Sequence, residues 1–157
     1  MKPEIPNSIR STDEFAKGTF RPHGRLEVRI DGAILRADGY GPFNSEFIRA
    51  LARTFQDLRS SALVPRPYAD LIQFHGSLMA SQDMLTELSQ MLERVDSVDI
   101  ACALAFVVEP NVEGRDFMLP LFERVLVSHG RNFRSFDNLP EAEAWVRECL
   151  EAASRAV

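Results

Sequence analysis

The chain is expected to fold as an α/β domain on an open, mixed and mostly parallel sheet, with an antiparallel opening hairpin and about four helices. Three features carry that expectation. Residues 101–108 (ACALAFVV) are a short run, apolar on both alternating faces, as a parallel strand covered by helices requires. Residues 117–129 follow with helical spacing and stop at Gly130. A second short strand, FRSF, then precedes the capped segment DNLPEAEAWV. Strands alternating with helices in this order imply parallel strands joined by crossovers.

The elements follow along the chain. Residues 1–17 (MKPEIPNSIRSTDEFAK) are polar and contain prolines, so a loose N-terminal arm is expected, with residues 18–157 as a single domain. Residues 19–23 are a candidate strand. Residues 26–30 alternate apolar and charged (Leu, Glu, Val, Arg, Ile), the period of a half-buried strand. Asp31-Gly32 signals a hairpin turn, and residues 33–37 return antiparallel. Gly39-Tyr40-Gly41-Pro42 is expected to break that strand. Asn44 is placed to cap a helix whose inner face carries Phe47, Ile48, Leu51, Phe55 and Leu58.

Residues 68–74 (YADLIQF) read as the next strand, ended by His75-Gly76-Ser77. Ser81 is placed to cap a second helix, with Asp83 in its first turn opposing the helix dipole. Its buried face is Met84, Leu85, Leu88, Met91, Leu92 and Val95, the methionines serving as core filler. In the third helix Pro120 must fall in the first turn or kink the helix, and the inner face is Phe117, Met118, Leu121, Phe122, Val125 and Leu126. Residues 132–136 form the last strand. Asn138 with Glu141 resembles a capping box with Pro140 in the tolerant first turn, and Ala142, Trp145, Val146, Cys149 and Ala153 then pack inward.

Composition bounds the function. At 157 residues and 45% hydrophobic the chain is one ordinary globular domain, long enough to bury roughly two-thirds of its unfolded surface without a staple. Its net charge of −5 offers no electrostatic reason to bind nucleic acid or an anionic membrane. Cys102 and Cys149 read as buried, reduced thiols, and no histidines stand at zinc-ligand spacing beside them. The N-terminus lacks the apolar core of a signal peptide, and the longest apolar run, residues 100–108, is too short to span a bilayer. A cytoplasmic location is therefore expected.

Ligands of open α/β sheets sit beyond the carboxyl ends of the parallel strands. Those ends read His75-Gly76-Ser77, Glu109-Pro110-Asn111 and Asp137-Asn138. His75, Ser77 and Glu109 have the chemistry of a base, a nucleophile and an orienting acid, but no glycine-flanked nucleophile elbow surrounds Ser77. Capping of helices and turns accounts for these residues more simply. His23 and His129 look ordinary, and Glu109 and Glu113 share one solvated loop. Arg115 beside Gly114 reads as a loop arginine, with an anion contact at the third helix as its functional alternative. The scattered glycines build no phosphate-binding loop. No catalytic, metal or cofactor residue is expected.

Several segments resemble one family. LEVRIDGAILRADGYGPFN is similar to its opening hairpin, YADLIQFHGS to its central strand, and ACALAFVVEP with FMLPLFERVL to the next strand and helix. FRSFDNLPEAEAWV is similar to its ending, a strand, a short acidic cap and a helix carrying alanines and a tryptophan. On these segments residues 25–150 resemble the STAS domain family, in its SpoIIAA-like, anti-sigma-factor-antagonist-like branch. The resemblance implies a regulatory or protein-interaction module without catalytic machinery. Related branches are switched by phosphorylation of a serine that follows an aspartate after the central strand. Here that region reads HGSLMASQDM, and neither Ser77 nor Ser81 follows an aspartate. His75, Ser77, Ser81 and Asp83 mark the expected partner or switch region, flanked by the first and second helices. The branch is also similar in fold to lipid-transfer domains of the CRAL-TRIO type. With eleven Phe and five Met in the chain, that raises a carrier or sensor of a small apolar or lipid-like ligand as the alternative. The exposed edge of the opening hairpin offers a surface for a homodimer.

Overall fold

The computed structural model describes residues 9–15 and 22–156. Six strands form one sheet in sequential order. They are β1 (Arg10–Ser11), β2 (Arg25–Asp31), β3 (Ile34–Tyr40), β4 (Ala69–His75), β5 (Leu104–Val108) and β6 (Phe133–Phe136). Pairings from β1 to β3 are antiparallel, and those from β3 to β6 are parallel. The helices are α1 (Ser45–Ser60), α2 (Gln82–Arg94), α3 (Arg115–Ser128) and α4 (Leu139–Arg155). The fold is thus the mixed, mostly parallel α/β sheet that the sequence implies.

Sequential order has a direct consequence. Each β–α–β crossover steps the same way across the sheet, and crossovers share one hand. So α1, α2 and α3 lie on one face. Their apolar residues meet Leu26, Val28, Leu35, Phe74, Phe106 and Val108 of the sheet in the larger core. A T-shaped pair links Phe74 to Phe106, with ring centroids 4.7 Å apart, and Phe106 meets Phe122 of α3 at 5.8 Å. The final helix, α4, packs on the opposite face against β4, β5 and β6. There Ala142 and Val146 meet Ala69, Leu71, Ala103, Ala105 and Val107. The small residues of both elements let helix and sheet approach closely. Trp145 is half-buried and packs on Phe136 of the last strand, with ring centroids 5.7 Å apart.

Side-chain caps start α1, α2 and α4 where the sequence places them. Asn44 accepts from the backbone N–H of Phe47 at 3.0 Å, Ser81 from Met84 at 3.1 Å and Asn138 from Glu141 at 3.0 Å. The hairpin turn lies at Gly32-Ala33, between the paired Asp31 and Ile34, and Gly32 supplies the positive φ of 59° that the turn needs.

Four expectations are corrected. The segment expected as a loose arm supplies β1 and a 3-10 turn, Thr12–Phe15. Thr12 is buried, and its hydroxyl oxygen accepts the N–H of Leu26 at 3.0 Å, which ties this segment to the sheet. Two residues of the β2 edge are therefore paired, with Arg10 opposite Val28 and Ser11 opposite Glu27. Secondly, β3 does not break at Gly39 but runs on to Tyr40. A Cβ at Gly39 would stand 2.9 Å from the Phe74 ring, so its absence lets that ring pack against the strand. Thirdly, α3 starts at Arg115, two residues before the expected start, which leaves Pro120 inside the helix on its exposed side, the second of the two placements expected for it. Phe117, expected inside, is 68% exposed. Fourthly, Cys102 and Cys149 are free but only half-buried. Of the candidate strand at residues 19–23, residues 19–21 lie outside the described residues, and Pro22 and His23 are not in a strand.

Candidate functional site

The carboxyl ends of the parallel strands are largely engaged in contacts within the chain, with Arg25 Nε there buried without a hydrogen-bond partner. His75 Nε2 hydrogen-bonds Asp38 Oδ1 at 2.7 Å, and its ring stacks on Tyr40 at 5.1 Å. Arg25 caps the other ring contact, its guanidinium carbon 4.5 Å from the Tyr40 centroid. Ser77 is buried. Its hydroxyl donates to Glu113 Oε1 at 2.9 Å and accepts the N–H of Met79 at 3.1 Å. The acid beside Ser77 is thus Glu113, while Glu109 is exposed and His75 is engaged elsewhere. The three groups with acid–base and nucleophile chemistry are not brought into one hydrogen-bonded chain. Ser81 is the N-cap of α2, and Asp83 is an exposed first-turn residue. Arg115 donates to Val108 O and pairs with Asp116 and Asp137, so it is fixed rather than solvated. His129 shares a hydrogen bond of 2.8 Å with Ser89.

The notable concavity lies elsewhere. A cavity of about 640 Å³ separates α1 and α2 from the sheet and reaches α3. Small-molecule sites run to about 300–1,000 Å³, so its size is that of a ligand site. Its wall is apolar: Leu51 and Phe55 from α1, Leu88 and Met91 from α2, Ile72, Phe74 and Phe106 from the sheet. Leu51, Phe55, Ile72 and Met91 are only partly buried because the cavity takes up the space beside them. The rim includes the exposed Gln56, Ser60, Arg94 and Asp96, so the cavity opens to solvent.

One end of this cavity is polar, and it is the end where the parallel strands begin. Tyr68 and Asp70 stand at the start of β4, Arg59 at the last turn of α1, and Arg131 just before β6. Strand alternation explains why Asp70 faces inward. Ala69 and Leu71 point to α4, so Asp70, Ile72 and Phe74 point to the cavity. The backbone of Asp70 is held between β3 and β5, opposite Leu35 and Leu104. Its Oδ1 is buried with no hydrogen-bond partner. Burial pushes the carboxyl up to about 7, against the pull of the Arg59 and Arg131 guanidiniums. Burial likewise raises the Tyr68 phenol to about 12, and its hydroxyl donates to the Asp99 carbonyl. Arg131 is lowered by its own desolvation while Tyr68 and Asp70 oppose that shift. It donates to the His129 and Leu92 carbonyls at 3.3 and 3.5 Å.

Sequence reasoning looks for the site at the carboxyl ends and takes the inner helix faces as solid core. One signal did point to the amino end. Asp70 is an acid in register with Ile72 and Phe74, at a position where strand period calls for an apolar side chain. An unpaired buried carboxylate is costly, and such groups concentrate at functional sites. Among the described residues no cluster of three or more His, Cys, Asp or Glu is placed to hold a metal ion, and no helix is long and apolar enough to cross a membrane. No protein-family model matches the chain, and no curated protein matches it.

Proposed function

We propose that this protein is a non-enzymatic regulatory module of the STAS or SpoIIAA-like type, and that its input is a small, largely apolar molecule bound in the cavity. The observation that carries the reading is the apolar cavity of about 640 Å³ between α1, α2 and the sheet. Its apolar wall and a volume within the range of small-molecule sites support a binding role. Support for the non-enzymatic part comes from His75 Nε2, held by Asp38, and from the Ser77 hydroxyl, held by Glu113 Oε1, which form two separate contacts. The sequential sheet, antiparallel at its start, is of the kind the family resemblance implies. Helices α1 and α2 form both the cavity wall and the flanks of the expected partner region, so filling the cavity acts on the surface a protein partner would read.

Displacement of an environment-sensitive apolar dye, together with native mass spectrometry of the purified protein, tests the binding step. The wild type is expected to bind the dye or to carry an apolar ligand. Leu88→Trp, which fills the cavity from α2, is expected to bind neither while keeping its circular dichroism spectrum. A clean apo mass with no dye binding by the wild type would overturn the proposal.

A further inference from the structure

The polar end of the cavity has an uneven charge pattern. Four arginines line the cavity: Arg49, Arg59, Arg94 and Arg131. Arg49 pairs with Glu87 at 3.1 Å. Among the described residues Arg59 and Arg131 have no carboxylate within ion-pair distance, although both are half-buried. Asp99, at the end of a 3-10 turn (Ser97–Asp99) that follows α2, is taken by Arg66 at 2.7 Å. Arg94 and Asp96 are exposed at the rim and of opposite sign. What remains inside is Arg59, hydrogen-bonded to Tyr68, and Arg131, which donates to the His129 and Leu92 carbonyls, both acting on Asp70, whose Oδ1 is buried without a hydrogen-bond partner.

Resting on the cavity reading, we infer that the ligand is a long-chain monocarboxylic acid, its tail along Leu51, Phe55, Ile72 and Leu88 and its carboxylate between Arg59, Arg131 and Asp70. Two guanidiniums supply charge-assisted donors, each a planar fork suited to carboxylate oxygens. Asp70 completes the site as a neutral carboxyl, donating its O–H to the ligand carboxylate. A cationic head would gain from Asp70 but meet two like charges. A neutral hydroxyl would partner Asp70 and leave both guanidiniums without an anion.

This arrangement couples binding to a proton. Two carboxyls in contact in a low-dielectric site hold one proton between them. The charged and titratable groups around Asp70 are Arg59 at the end of α1, Arg94 and Asp96 at the end of α2, Tyr68, Asp99 and Arg131, with Cys102 nearby. None of the others is an acid free to take that proton inside the cavity. Above neutral pH, ligand binding therefore draws one proton from solvent onto Asp70.

Three probes with one tail and three heads separate the possibilities: dodecanoate, dodecanol and dodecylamine, each competed against an apolar dye at pH 8. Dodecanoate is expected to bind at least roughly tenfold more tightly than dodecanol, the worth of one charge-assisted hydrogen bond, with dodecylamine weakest. Isothermal titration of dodecanoate in two buffers of different ionisation enthalpy is expected to show uptake of close to one proton. Asp70→Asn is expected to bind dodecanoate without that uptake. Arg59→Gln and Arg131→Gln are each expected to lose about tenfold for dodecanoate and to leave dodecanol unchanged. Equal binding of dodecanoate and dodecanol, or tightest binding of dodecylamine, would overturn the carboxylate assignment while keeping the cavity as a ligand site. Proton uptake that persists in Asp70→Asn would overturn the role given to Asp70. If none of the three probes displaces the dye, the head-group assignment falls. If the dye itself does not bind, the cavity reading falls with it. The wild-type probe series decides the head group even where a variant fails to fold.

Discussion

The buried carboxyl of Asp70 makes the stability of the ligand-free protein depend on pH in a direction opposite to the usual behaviour of a paired acid. Its value is raised from 3.8 to about 7 by burial, despite Arg59 and Arg131. Between those two values the folded protein keeps a proton that the unfolded chain has lost. Stability therefore falls as pH rises from about 4 to about 7, and the loss is complete above the folded value. At about 1.36 kcal/mol per pH unit, the full effect is about 4 kcal/mol, against a typical domain stability of roughly 5–15 kcal/mol. Asn at this position is uncharged at every pH and nearly isosteric. Subtracting the two proteins cancels the titration of all other groups. The stability of Asp70→Asn relative to wild type is expected to grow by about 4 kcal/mol between pH 4 and pH 8. A residual cost of about 1–3 kcal/mol for an unpaired polar atom remains in both proteins, because the side-chain oxygen still lacks a partner. Urea unfolding followed by fluorescence of Trp145, the single tryptophan, measures the difference at each pH. A gap between the two proteins that stays constant across this range would refute the reasoning, since it would mean that Asp70 titrates as a solvated acid.

Three further outcomes are expected. Trp145→Ala removes a half-buried ring that packs on Phe136, so it should cost about 2 kcal/mol, below the 3–5 kcal/mol of a fully buried tryptophan; an unchanged melting temperature with red-shifted, readily quenched wild-type emission would contradict the packing. Thr12→Val leaves the N–H of Leu26 without its acceptor and should lower stability by about 1–3 kcal/mol, visible also as faster hydrogen exchange at Leu26; unchanged exchange would mean β2 does not depend on this contact. Ser81→Ala removes the N-cap of α2 and should cost about 1 kcal/mol in urea unfolding while ligand affinity holds; a loss of affinity without a loss of stability would assign Ser81 to the site.

Much of the fold is legible because two local signals agree. Apolar alternation marks β2, and the all-apolar run of β5 requires cover on both faces. Asn44, Ser81 and Asn138 each stand where a free backbone N–H needs an acceptor, and each takes it. What fails does so where a tertiary partner overrides the local signal. Gly39 reads as a breaker, yet it is the residue that makes room for Phe74 across the sheet. Thr12 reads as part of a polar arm, yet the unpaired edge of β2 recruits it. Phe117 reads as core because the helical period places it near Met118 and Leu121. The buried stripe of α3 is instead Met118, Phe122 and Leu126, with Leu121 only partly buried, so Phe117 falls beside the stripe and is exposed.

The site shows a sharper limit. Leu51, Phe55, Met91 and Val95 have the spacing of core residues, and spacing alone cannot separate a packed core from the wall of a cavity. Both need an apolar stripe; they differ in the distance from helix to sheet, which no periodicity encodes. Arg59 and Arg131 are likewise far apart in sequence. They meet only because a sequential sheet brings the ends of the helices on this face to the starts of the next strands. Asp70 is different. Its neighbours at the same strand period, Ile72 and Phe74, already assign that face to the interior, so its charge conflicts with its position in the sequence pattern itself. A domain tolerates such a conflict when the group is paired or when it serves a ligand. Here Oδ1 lacks a partner and two guanidiniums lie within its field, and this is the cluster from which we infer a ligand carboxylate.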